Sequence, residues 1–373
     1  MQAINILTPA LDRLITRMPK AELHLHLEGS ITPRTFLELA QRNRVDIPAD
    51  DEAGVTRLFR YQRFHEFLGT FMLLSQALVH GEDFAQAAYE LGLHLKRQNT
   101  RYAEVMLSPA LHYRRGIDLD EMVRGAADGF ARAQRAGGPQ VNLVFDYGRQ
   151  NGVALAWQIL DVAIRNMRHG VVAWSIGGDE VQHPPEPFAD VFAAARRAGL
   201  HVMAHAGEVA GPESVRGAVE ALGAERVGHG IRSIDDPALL ALLRDRNVTL
   251  DVCPSSNVLT NAVASLAMHP LRRLVASGVR VTLNTDDPTF FHTTLNDEYR
   301  LAAREFGFNA DELILLALNS VRASFLPERE KRALLRQFTV EIAGLLFAGI
   351  TSPRSERRTT SIGGQRLLSA KAA

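Results

Sequence analysis

The 373-residue chain has a single cysteine, Cys253. One thiol can form neither an internal disulfide framework nor a cysteine-rich zinc site. There is no surplus charge either: 42 Lys and Arg stand against 42 Asp and Glu. Bulk electrostatics therefore give no reason to expect nucleic acid or an anionic membrane as a partner. No apolar run reaches the length of about 20 residues that a membrane helix needs. The segment 1–14 alternates polar and apolar residues and lacks the basic stretch and apolar core of a signal peptide. The expectation is a soluble, cytoplasmic protein. No Gly-x-Gly-x-x-Gly turn follows any candidate strand, which counts against an open dinucleotide-binding sheet. The length suits one large domain or two modest ones.

What the chain does have is a regular alternation of short apolar segments and helical periodicity. Residues 21–27 alternate with the two-residue period of a strand. Further strands are predicted over 102–107, 141–147, 171–176, 201–206, 226–229, 248–252 and 280–284. Between them the spacing predicts helices over 84–98, 118–135, 153–168, 187–198, 212–222, 237–246 and 264–276. Gly199, Gly223 and Gly278 stand just past helix ends, where a left-handed cap is expected. Thr32-Pro33 starts an extra helix running to about residue 44, and residues 59–79 are rich in Phe, Leu and Met. That second segment reads as a core-facing helix pair or as a hydrophobic lid over a site. Helices over 309–320 and 328–343 follow the last strand. Strands alternating with helices imply parallel pairing, and eight such units match a (β/α)8 barrel. The predicted organisation is one domain over 1–350 and a mobile tail over 351–373.

In such a barrel the chemistry sits at the carboxyl ends of the strands. The first strand brings His24 and His26 to one face, with Glu28 just beyond. The fourth runs into Gly177-Gly178-Asp179-Glu180, the fifth ends His205-Ala206-Gly207-Glu208, and the sixth ends Gly228-His229-Gly230. The eighth ends Asn284-Thr285-Asp286-Asp287-Pro288. Buried charge is costly unless it is paired or bound to metal. His24, His26, His205 and Asp286 can form a set of three nitrogens and one oxygen around a divalent ion. Such a set suits Zn2+, with Fe2+, Mn2+ or Co2+ compatible. Residues 171–176 contain no Lys to bridge a second metal, so one ion per chain is expected. Glu208 is free to move protons. His229 either binds metal or orients a hydroxide, and its flanking glycines allow close approach of backbone or substrate. Asp287 points away from Asp286 and is placed to accept a hydrogen bond from a substrate.

Taken together, these stretches and Cys253-Pro254-Ser255-Ser256-Asn257 resemble, in order, the adenosine deaminase family of the amidohydrolase superfamily. The resemblance covers roughly residues 15–345. It implies zinc on His24, His26, His205 and Asp286, one ion per chain, with a purine nucleoside as the small-molecule substrate. Hydroxide would attack C6, Glu208 would deliver a proton to N1, and His229 would stabilise the hydroxide. Asp287 would bond N7, the Gly178 amide would meet N3, and His26 and Glu28 would also contact substrate. Adenosine deaminases usually carry Asp where this chain has Glu28. A Glu there is common in relatives acting on adenine, aminodeoxyfutalosine or other adenosine derivatives. Adenine-specific relatives typically have Ser-Ser-Glu where this chain has Gly177-Gly178-Asp179-Glu180, so the nucleoside-type pattern is kept. The expected reaction is hydrolytic deamination of adenosine, with 5′-modified adenosines or adenine as alternatives. Arg149 would either meet an anionic 5′ substituent or face solvent in a loop. A metal hydrolase of a lactone or phosphoester, or a non-catalytic barrel, are the competing classes.

Overall fold

The computed structural model describes residues 7–60 and 64–351. Eight strands pair in sequence order: β1 (Lys20–His26), β2 (Thr100–Leu107), β3 (Gln140–Gly148), β4 (Val171–Gly177), β5 (His201–Ala206), β6 (Arg226–His229), β7 (Thr249–Val252) and β8 (Arg280–Leu283). Every neighbouring pair is parallel. The architecture is the (β/α)8 barrel that the alternation predicted, with helices on the outside.

The barrel closes between β8 and β1 through an isolated parallel bridge, Leu25 to Asp286. The His26 N–H donates to the Asp286 carbonyl at 2.9 Å, and the Asp286 N–H donates to the His24 carbonyl at 3.1 Å. Side chains complete the seam. Asn284 Oδ1 accepts from the N–H groups of Leu23 and His24 at 2.9 and 3.2 Å. Glu22 Oε1 accepts from the Thr285 N–H and hydroxyl at 3.1 and 2.6 Å. Buried backbone donors must find partners, and here polar side chains replace the ladder where β8 ends.

Gly199, Gly223 and Gly278 all adopt positive φ, as helix caps there require. The expected helix over 264–276 is instead a 3-10 turn, Leu266–Met268, and a helix, Leu271–Ala276. Pro270 lacks an N–H and holds His269 in extended backbone, so the helix cannot run through. Five α-helices among the described residues were not anticipated, three of them short: Glu52–Leu58, Pro109–Tyr113 and Pro254–Leu259. Pro9–Arg17 is capped by Thr8, and Leu295–Phe306 is capped by Thr294, whose hydroxyl accepts from the Asp297 N–H. Both follow the Thr-cap rule, but each lies beside a segment read for other features.

Residues 61–63 of the Phe-rich segment lie outside the described residues, as does the tail beyond Thr351. The remainder of the Phe-rich segment includes a helix, Phe64–Gln76. Phe59 is buried against Phe36 and Phe290, with ring centroids at 6.3 and 4.7 Å, and Phe71 lies 5.8 Å from Phe290. Phe290 stands four residues after Asp286, so this segment packs on the loop that carries a candidate ligand.

At the opposite end the barrel is plugged. Met106, Val144, Ala173 and Met203 pack inside it against Phe325. Arg226 lies beneath them, essentially unexposed. Its Nε is 2.7 Å from Asp251 Oδ2 and its Nη1 2.5 Å from Glu104 Oε2, and the guanidinium sits 4.1 Å from the Phe325 ring centroid. Removing one partner of a buried charge cluster leaves the others uncompensated. Arg226→Met strands two buried carboxylates and is expected to lower unfolding free energy by about 3–5 kcal/mol, read as a lower urea midpoint at unchanged slope.

Candidate active site

The four residues proposed as ligands converge at the carboxyl end of the barrel. His24 and His26 come from the end of β1, His205 from β5, and Asp286 from just past β8. One ligand atom from each lies within 4.8 Å of all the others, and all four residues are buried. The Nε2 atoms of His24 and His26 are each 3.3 Å from Asp286 Oδ1. Among the described residues, neither ring nitrogen of the fully buried His24 finds a partner in hydrogen-bonding geometry. Burial, with His205 adding to it, lowers the His24 pKa to about 3, so the ring is a neutral donor. Burial pushes the Asp286 carboxyl up, but the facing imidazoles of His24 and His26 outweigh it and hold the group ionised. Three imidazole nitrogens and one carboxylate oxygen, with buried unpartnered lone pairs, are a donor set that fits a divalent cation.

Two of the candidate ligands, His205 and Asp286, are oriented from behind. His205 Nδ1 stands 3.3 Å from Asp146 Oδ1 on β3, and that oxygen also accepts from the Ser175 hydroxyl at 2.7 Å. Burial opposes ionisation of Asp146, but His205 holds its pKa below the usual carboxylate range. Asp286 Oδ2 accepts from the Ser256 hydroxyl at 2.7 Å. Gly228 is where the His24 ring lies: a Cβ there would be 2.7 Å from His24 Cε1. The close approach foreseen at Gly228 is therefore made by the ring of His24, a candidate ligand. That at Gly230 is made by Leu250, whose Cδ2 would lie 2.5 Å from an added Cβ.

Arg149 departs from both readings made of it. It is fully buried, and its guanidinium donates to the carbonyls of Gly177 (3.3 Å), His183 (3.2 Å) and His205. The β4–β5 ladder pairs only Ala173 with His201 and Trp174 with Val202. Beyond that the strands splay, and Arg149 satisfies the carbonyls the ladder leaves open. It is a positioning group for the backbone of His205, and reaches neither solvent nor a substituent. Glu180 does the same for the next loop. Its carboxylate accepts from the N–H groups of Gly207, Glu208 (3.2 Å), Val209 (3.0 Å) and Ala210 (3.1 Å), which anchors the segment carrying Glu208.

Glu208 Oε2 is 3.6 Å from His229 Nε2, and that nitrogen is 3.8 Å from Asp286 Oδ2. Burial and the nearby Asp286 carboxylate raise the Glu208 pKa to about 8, so it holds a proton near neutral pH. Burial lowers the His229 pKa to about 4 and keeps that ring neutral. Asp287 is buried, its Oδ1 has no partner among the described residues, and burial together with Asp286 pushes its pKa well up. Its carboxylate lies over Gly29, where a Cβ would come within 1.7 Å of Asp287 Oδ1. Glu28 is fully buried. Its Oε1 accepts from the Ser108 N–H at 3.0 Å and lies 2.9 Å from His112 Nε2, while Oε2 has no partner among the described residues. Gly178 follows β4 with φ +86°, and the Gln150 side chain packs beside it.

The model of the family described as adenosine deaminase matches residues 19–340. The chain belongs to the adenosine deaminase family. An aminodeoxyfutalosine deaminase of Streptomyces avermitilis is 38% identical over 339 residues, covering 90% of this chain and 94% of the relative. An adenine deaminase of Wolinella succinogenes is 33% identical over 329 residues, covering 88% and 99%. Among solved structures, a zinc-bound amidohydrolase from B. ambifaria superposes with a TM-score of 0.87 at 28% identity, covering 94% of this chain and 97% of its own. As a member of the adenosine deaminase family the chain is a hydrolytic aminohydrolase acting on C–N bonds, and that family is metal-dependent.

Asp146, Arg149, Glu180, Ser256, Asn257 and His112 were not read from the sequence in the positions they occupy here. For Asp146 the signal was there, an acid inside the apolar strand 141–147, which demands a buried partner. A carboxylate behind a ligating imidazole fixes its tautomer and raises its basicity, and its loss typically costs about 10–100-fold in metal affinity. Asp146→Asn is expected to weaken Zn2+ binding by about that factor in chelator competition, with the apoprotein's melting temperature little changed.

Proposed function

We propose that this chain is a zinc-dependent deaminase of 6-aminopurines, with one ion held by His24, His26, His205 and Asp286. We further propose a 5′-modified adenosine of the aminodeoxyfutalosine type as its substrate. The observation that carries the reading is the buried three-histidine, one-aspartate cluster with Glu208 beside it. The two relatives described above are named for aminodeoxyfutalosine and adenine. They support the alternative substrates over adenosine itself. The Gly177-Gly178-Asp179-Glu180 stretch favours the nucleoside over the free base. Adenine remains the second reading, on the strength of the Wolinella relative.

When bound, the ion supplies Lewis acidity that brings the pKa of water to about 7. The residues do the rest. Glu208, protonated near neutral pH, hands its proton to ring N1 as oxygen adds to C6, which removes aromatic stabilisation from that edge. Asp287 stays protonated in its buried setting, so it donates to N7. The sequence reading made it an acceptor, but N7 has only a lone pair, so the bond needs the acid form. Glu28 Oε2, without a partner among the described residues, is assigned to a sugar hydroxyl, Oε1 being held by Ser108 and His112. The carboxylate left on Glu208 then takes the proton of the added C6 hydroxyl and passes it to the amino nitrogen, the C6–N bond breaks and ammonia leaves, and the 6-oxopurine keeps the proton on N1.

Two measurements test this. In a spectrophotometric screen of adenine, adenosine, 2′-deoxyadenosine, 5′-methylthioadenosine and aminodeoxyfutalosine, the 5′-modified nucleosides are expected to give the highest kcat/KM. A preference for adenine would favour the second reading, and no turnover of any would overturn the deaminase assignment. Glu208→Gln is expected to lower kcat by about 10²–10⁴-fold with zinc content retained. Parallel loss of zinc would make Glu208 a ligand.

A further inference from the structure

We propose that His269, acting through Asn257, locks His229 in the tautomer protonated on Nε2. This makes His229 a hydrogen-bond donor at the reaction centre and removes it from the metal's ligand set. The inference rests on the direction of three hydrogen bonds. The main-chain N–H of Leu271 lies 3.1 Å from His269 Nδ1. A backbone amide only donates, so Nδ1 carries no proton. Burial and the nearby His229 lower the His269 pKa to about 4, so the ring is neutral and its proton is on Nε2. That Nε2 lies 3.1 Å from Asn257 Oδ1, which accepts. Turning the Asn257 amide over would set its NH2 against an N–H, so the orientation is fixed. Asn257 Nδ2 then donates to His229 Nδ1 at 3.0 Å. With Nδ1 accepting, the neutral His229 ring carries its proton on Nε2.

All three side chains are buried, so water does not compete for these bonds. His229 stands at φ +60°, a left-handed backbone that a non-glycine residue keeps only when its surroundings hold it there. Its Nε2 looks toward Glu208 Oε2 at 3.6 Å and Asp286 Oδ2 at 3.8 Å. A protonated nitrogen has no lone pair for a metal. The grouping of His229 with Cys253 and Asp286, close enough to hold an ion by distance alone, is therefore not a ligand set. His229 also cannot take a proton from water through Nε2. It can only donate to the attacking oxygen, which orients that oxygen's lone pair for the purine carbon. Asn257 and His269 are positioning residues for it. The role at the attacking oxygen rests on the deaminase reading, whereas the tautomer does not.

Nitrogen-15 spectra of the histidine rings in metal-loaded protein report the tautomer without turnover, the His229 signals being assigned by their loss in His229→Gln. The expected pattern is a bare Nδ1 and a protonated Nε2 on His229, and a protonated Nδ1 would overturn the proposal. Asn257→Asp is isosteric, yet its carboxylate accepts from both neighbours and calls the His229 proton to Nδ1. The expected result is an inverted ring pattern and a kcat lower by about 10²–10⁴-fold, as for other histidines held in the wrong tautomer, with KM and metal content unchanged. Full kcat at parental metal content would overturn the proposal. His269→Phe leaves Asn257 and His229 themselves unsubstituted, and by removing the bond to Asn257 Oδ1 releases that amide to turn over. It is expected to give a mixed His229 pattern, and an unmixed parental pattern would overturn the relay. Failure of every aminopurine to react, with the bare-Nδ1 pattern intact, would reject the deaminase reading and leave the tautomer standing.

Discussion

The seam between β8 and β1 is the constraint on which the rest of the molecule depends. Barrel closure is achieved by backbone bonds that run to His24, His26 and Asp286 themselves. The same few residues thus close the sheet and present three of the four candidate ligands. Asn284 and Glu22 supply acceptors where the ladder runs out, so the Asp286 loop is held by buried hydrogen bonds and not by strand pairing. Asp286 pays for this placement with a left-handed backbone, φ +64°. Strain of that kind persists where the surroundings over-determine it.

Charge inside the barrel is handled in two ways. At the floor, Arg226 is matched by Glu104 and Asp251, and an aromatic ring covers the guanidinium. At the mouth, the histidines and carboxylates have no such internal balance. Their pKa values are driven apart, with His24 down, Glu208 up and Asp287 up. Titratable groups pushed in opposite directions within one buried cluster are the physical signature of a reaction centre. The two ends therefore read as stability below and chemistry above, the usual division of labour in this architecture.

A further set of buried residues aims the candidate ligands and the loop bearing Glu208. Arg149 satisfies carbonyls where β4 and β5 part, Glu180 gathers four amides of the loop bearing Glu208, and Asp146 backs His205. Each sets the direction of a side chain one bond away. A site held to a fraction of an ångström needs such support, because ligands and proton donors on loops are otherwise mobile.

The sequence alone determined the barrel and most of its mouth. Strand period, helix spacing and cap residues are local properties, and eight parallel units leave few topologies open. His24 and His26 share a face by the two-residue period, and His205, His229 and Asp286 fall at strand ends by counting. What local pattern does not carry is which partner a polar side chain meets. Arg149 was read as a loop residue because nothing nearby shows that β4 and β5 part there. Asn257 was read only as part of a motif and His269 only as part of a helix, and their link to His229 exists because Pro270 breaks that helix. Asp287 was read as an acceptor because exposure, and hence protonation, is set by the walls around a group. Donor and acceptor direction, burial and the resulting pKa values belong to contacts between distant segments, so only the tertiary structure decided them.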